Sequence, residues 1–181
     1  MEPVRVRDED EGVADAMEII FRKLNAHPRT RFELDRYLRE KNISESTRHD
    51  ALDRVTEMGY IDAREFARAW VHSRIRSRGL APAVLQRELA SKGVSPEFIE
   101  EALAGVDPEH TRSRGYELAE KKMRSLTSVS PQIAIQRIYS LLQRKGYRSA
   151  EALEIARHVV SLHSDVGLDQ EFAPGLEPLG D

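Results

Sequence analysis

Seven basic side chains carry the clearest chemistry in the chain. Arg64, Arg68, His72 and Arg76 recur at every fourth residue, Arg74 and Arg78 repeat that step beside them, and Arg87 follows nine residues on. A four-residue step places side chains in a row along one helix face. Residues 63–92 hold six arginines and one lysine against Glu65 and Glu88, a surplus of five in a chain whose net charge is −3. Arginine forks suit carboxylate and phosphate groups. The row therefore points to a polyanion or an acidic protein groove as partner. The alternative is a solvated face whose long stems cover apolar surface. Aromatic residues do not interleave with the arginines, so single-stranded bases find no stacking platform.

Other chemistry is missing from the sequence. It contains no Gly-x-x-x-x-Gly-Lys-Ser/Thr loop, no Gly-x-Gly-x-x-Gly turn and no Gly-x-Ser-x-Gly elbow. Without cysteine there is no disulfide framework and no thiolate chemistry. The six histidines include no His-Glu-x-x-His pair, and His158 and His163 are badly spaced for one face. The run Asp8-Glu9-Asp10-Glu11 reads as a solvated acidic arm, because nothing alternates oxygen ligands around a glycine turn. The expectation is a non-enzymatic protein with no catalytic residue, metal or cofactor. No apolar run approaches the ~18 residues of a membrane helix, and the N-terminus lacks the apolar core of a signal peptide. A cytoplasmic protein without membrane contact is expected.

The elements that position these residues repeat. Leu38, Leu89 and Leu142 are each followed three residues later by a lysine (41, 92, 145), then by Asn42, Gly93 or Gly146, then by an apolar residue (43, 94, 147). Leu34, Leu85 and Ile138 extend the match one turn upstream. The apolar pair is a core stripe. Lysine meets the negative end of its helix, and Asn or Gly adopts the left-handed turn that closes it. A recurring pattern of this kind marks one supersecondary unit used three times. Thr30 with Glu33, and Asp62 with Glu65, have capping-box spacing. Ser95-Pro96, Asp107-Pro108 and Ser130-Pro131 are further helix starts. Asn42, Gly59, Gly79, Gly93, Gly105 and Gly146 are stops.

These signals predict an all-α fold of about nine helices, over 13–26, 31–41, 45–58, 63–78, 82–92, 96–104, 108–125, 131–145 and 149–162. They group into an elongated array of three tandem three-helix modules: 13–61, a basic 62–106, and 107–163. Residues 1–12 are expected as a disordered acidic arm and 164–181 as a loose tail. Phe66 and Trp70, four apart, are expected as buried core of the middle module.

The stretch Met58-Gly59-Tyr60-Ile61-Asp62-Ala63-Arg64-Glu65-Phe66-Ala67-Arg68-Ala69-Trp70-Val71, with Arg74, Arg78-Gly79, Glu88-Leu89 and Lys92-Gly93-Val94, resembles the RecX family of bacterial regulatory proteins. Ala63 stands where that family usually has a second Asp, and Leu80-Ala81-Pro82 where Gly-Pro is common. The resemblance implies a monomeric regulator that binds the RecA recombinase, lies in the groove of its nucleoprotein filament, and restrains filament growth, ATP hydrolysis and strand exchange in recombination, DNA repair and the SOS response. Single- or double-stranded DNA is a further partner under this reading. Charge assigns the contact to Arg64, Arg68, His72, Arg74, Arg76, Arg78 and Arg87. Two other readings stand beside it: a helix-turn-helix DNA-binding regulator, with 31–41 or 82–92 in the major groove, and a generic helical scaffold.

Overall fold

The computed structural model describes residues 4–163, which form nine helices and, among the described residues, no strand. In order they are α1 (Val4–Ala26), α2 (Arg31–Glu40), α3 (Glu45–Glu57), α4 (Ala63–Arg78), α5 (Pro82–Ser91), α6 (Pro96–Ala104), α7 (Pro108–Arg124), α8 (Pro131–Arg144) and α9 (Ser149–His163). The capping signals explain most boundaries. Thr30 closes a full capping box with Glu33, and Asp62 accepts from the N–H groups of Arg64 and Glu65. Ser95 makes no side-chain cap, so Pro96 starts α6 by its fixed φ alone. Asn42, Gly59, Gly79, Gly93 and Gly146 have the positive φ expected of helix stops. Gly105 does not: α6 ends there with φ −79°.

The acidic arm is a second departure. It is helical from Val4 instead of disordered up to residue 12. Once Val13, Ala16 and Ile20 are packed, each further residue adds one hydrogen bond to a nucleus that already exists. Asp10 also reaches Arg54 of α3 at 3.1 Å. The expected tail, 164–181, lies outside the described residues.

The first six helices pack in two groups of three. Val13, Ala16 and Ile20 of α1, Leu34 and Leu38 of α2, and Ala51, Leu52 and Val55 of α3 form one core. Phe66, Ala67, Val71 and Ile75 of α4, Leu85 and Leu89 of α5, and Ile99 and Ala102 of α6 form the next. α8 and α9 pack on each other through Ala134, Ile138 and Leu142 against a helix burying Ile155, Val159 and Val160. α7 meets α9 through the Tyr116 ring, set edge-on to His158 at 5.4 Å. The chain divides into two compact units. Among the described residues, 4–114 with 145–147 form one, and 115–144 with 148–163 the other, so the boundary falls inside α7.

Within the first unit the repeated motif proves to be a joint. The Thr30 hydroxyl at the start of α2 donates to the Lys92 carbonyl at the end of α5 (2.6 Å). Lys92 Nζ donates to Glu33 Oε1 (2.5 Å). One repeat further, the Ala81 N–H at the start of α5 donates to the Lys145 carbonyl (2.8 Å), and Lys145 Nζ donates to the Arg78 carbonyl (2.9 Å). Lys92 and Lys145 therefore reach across to the preceding module, whereas Lys41 stays over Tyr37 of its own helix. Glycine follows Lys92 and Lys145 for the same reason. A Cβ on Gly93 would overlap Phe32, 2.6 Å from its Cγ, and one on Gly146 would come 2.9 Å from the Val84 backbone nitrogen. Asn42 has the same left-handed φ of 60° but is exposed, so a Cβ fits there.

Candidate functional site

The expected site residues all lie on α4 except Arg87, which lies on α5. α4 buries Phe66, Ala67, Val71 and Ile75, which leaves the arginine rows on its outer flanks. The structure then separates them into two groups.

The first group is paired with acids, three arginines sharing two carboxylates, where the sequence showed only an unbalanced surplus. Arg64 Nε lies 3.1 Å from Glu101 Oε2, and Arg68 Nη2 hydrogen-bonds the other oxygen of the same carboxylate. Arg74 stacks on Trp70, its guanidinium carbon 3.9 Å from the ring centroid, and its Nε is 3.8 Å from Glu88. These acids come from α6 and α5, far away in sequence, and reach the row only because the three helices pack together.

Trp70 is half-buried and not fully enclosed. Its indole N–H donates to Glu88 Oε2 at 2.8 Å, Phe66 stacks on it at 5.6 Å, and Lys92 Nζ lies 4.4 Å from its centroid. Indole is amphipathic, and a polar edge with a partner explains why Trp70 sits at the margin of the core. Through Lys92 this cluster continues to Glu33. Burial alone would raise the Glu33 carboxyl. The Lys92 ammonium and the Thr30 N–H, helped by the charge of Arg29, more than offset that and hold it below its ordinary 4.5.

The second group has no acidic partner among the described residues: His72, Arg76, Arg78 and Arg87 are all exposed. Arg76 and Arg78 sit at the end of α4, where sequence reasoning missed two more cations. Arg114 Nη2 donates to the Arg76 carbonyl (2.7 Å), and Lys145 Nζ to the Arg78 carbonyl. The Tyr147 hydroxyl takes up the next carbonyl, that of Gly79, at 3.3 Å. Cations at a helix C-terminus are favoured by its dipole. The result is a positive end built from α4, α7 and the turn after α8. The motif position of Lys145 was visible in the sequence; its destination was not. Among the described residues, no group of three or more histidines and carboxylates is placed to hold a metal ion, and no helix is long and apolar enough to cross a membrane.

Residues 62–103, which span α4, α5 and nearly all of α6, match the family model of the RecX second three-helix domain. The regulatory protein RecX of Streptomyces coelicolor is 36% identical over 169 residues, covering 93% of this chain and 85% of its own. The chain belongs to the RecX family. The regulatory protein RecX of Mycolicibacterium smegmatis is 34% identical over 144 residues, 77% of each chain. The crystal structure of RecX from Lactobacillus salivarius has the same fold, with a TM-score of 0.72 at 21% identity over 83% of this chain and 97% of that one. In this RecX-family chain the matched segment holds the whole basic row, from Arg64 to Arg87.

Proposed function

We propose that the protein binds the RecA nucleoprotein filament and restrains its growth, its ATP hydrolysis and its strand exchange, without catalysing a reaction itself. Membership of the RecX family of regulatory proteins supports this reading. The observation that carries the location is the uncompensated positive end of α4. Arg76 and Arg78 stand there exposed, with Lys145 beside them and Arg87 on the next helix. Unpaired arginines on a surface are ready to meet carboxylates or phosphates, and both classes of group line a protein–DNA filament. Arg64, Arg68 and Arg74 have a different role under this proposal: they tie α4 to α5 and α6.

The test is RecA-dependent ATP hydrolysis on single-stranded DNA, titrated with wild type and with Arg76→Glu/Arg78→Glu. The double reversal should keep its helicity, because exposed charges contribute about 0–1 kcal/mol to folding. It should inhibit at least tenfold less well, since like charges across a docked surface oppose association. Arg68→Gln, at a residue already paired with Glu101, should leave inhibition nearly unchanged. A folded double reversal that inhibits as well as wild type would move the contact off α4.

A further inference from the structure

We propose that α7 and α8 carry a second anion site, separate from the α4 end, which takes the phosphodiester backbone of a nucleic-acid strand. The two helices frame a shallow surface pocket lined by Lys122, Gln136, Arg137, Ser140 and Arg144. Lys122 belongs to the basic last turn of α7. The other four share the outer face of α8, because 136, 140 and 144 step by four and 137 and 144 by seven. The opposite face of α8 is anchored by the fully buried Ala134, Ile138 and Leu142, so the outer face is held in place.

None of the three cations has an acidic partner among the described residues. Glu120, the acid nearest Lys122 in sequence, faces His163 instead, at 3.4 Å. Cations gathered around one pocket repel one another, and an anion bound between them relieves that repulsion. Ser140 and Gln136 add a hydroxyl and a carboxamide as neutral donors.

The composition of the pocket selects the ligand class. No apolar residue lines it, whereas a bound peptide is held mainly by apolar and aromatic anchors at the centre of its interface. A phosphodiester chain needs only charge and hydrogen bonds. Arg137 and Arg144 are two turns apart, about 10.5 Å along the axis at 1.5 Å per residue. That spread along the helix lets the pair meet more than one phosphate of a strand. Binding is then independent of base sequence and strongly dependent on salt.

This inference does not rest on the RecA reading, and its test contains no RecA. Fluorescence anisotropy of a labelled thymidine oligonucleotide is titrated with the full chain at low ionic strength. Wild type should bind, with affinity falling as salt rises. Arg137→Gln/Arg144→Gln should bind at least tenfold more weakly. Its logarithmic salt slope should be smaller by about 1.4, or ~0.7 for each phosphate of a single strand that is no longer neutralised. Gln136→Glu/Ser140→Glu, which keeps all three cations but adds negative charge, should weaken binding likewise. Circular dichroism confirms that both variants are folded. The proposal is overturned if wild type does not bind, if both variants match its affinity and slope, if only Arg76→Glu/Arg78→Glu loses binding, or if polyglutamate of equal charge competes as well as unlabelled oligonucleotide.

Discussion

Lys92 shows how much one residue of the repeat carries. Its carbonyl takes the Thr30 hydroxyl, its ammonium pairs with Glu33, and the same ammonium covers Trp70. Glu33 is therefore a titratable clasp on the joint. Its folded pKa lies below the ordinary 4.5, so its contribution to stability is present above that value and lost as pH falls through the folded pKa. Glu33→Gln should lower the urea midpoint at neutral pH, and the gap to wild type should close as the solution is acidified well below 4.5. Emission from Trp70, the sole tryptophan, gives the readout beside the joint; a gap of equal size at both pH values would refute the clasp. The glycines give a second test at this scale. Gly59 and Gly93 both have positive φ, but a Cβ on Gly59 would meet nothing within 4 Å. Gly59→Ala should cost about 1–2 kcal/mol of left-handed strain. Gly93→Ala should add about 1–3 kcal/mol of overpacking against Phe32. Equal shifts in melting temperature would show that Phe32 yields freely.

The helix starts differ in the work they do. Thr30 and Ser44 are both N-caps, but Thr30 is 2% exposed and also binds Lys92, whereas Ser44 is exposed. Ser44→Ala should cost about 1 kcal/mol, the usual loss of a cap. Thr30→Val loses the cap and also strips the Lys92 carbonyl of its donor, which adds about 1–3 kcal/mol. Paired urea melts measure the difference, and equal losses would mean that Lys92 finds another partner. α4 sorts its arginines in the same element-dependent way. Their four-residue step was readable because a helix has a fixed period. Their pairing was not, since Glu101 lies 33 residues from Arg68 and Glu88 lies 18 from Trp70.

Across the whole molecule the two basic surfaces should separate by assay. Reversals at Arg76 and Arg78 should act on RecA-dependent hydrolysis, and changes at Arg137 and Arg144 on bare DNA. The α4 row could be seen in the sequence because a surplus of five charges within thirty residues stands out locally. The α7–α8 cluster escaped notice because Lys122 and Arg144 are separated by 22 positions and interspersed with apolar and neutral residues.

Local chemistry was enough to determine the helices, most of their ends, the threefold repeat and the family. Helical periodicity, caps and left-handed turns all act within a few residues, so each leaves its mark in a short window. Tertiary structure alone decided which cations are paired with acids, why Gly93 and Gly146 tolerate no side chain where Asn42 does, that the acidic N-terminal stretch is helical from Val4, and where Lys92 and Lys145 reach. Each of these depends on groups that are distant in the chain and meet only when apolar stripes pack, and a linear pattern does not encode that distance.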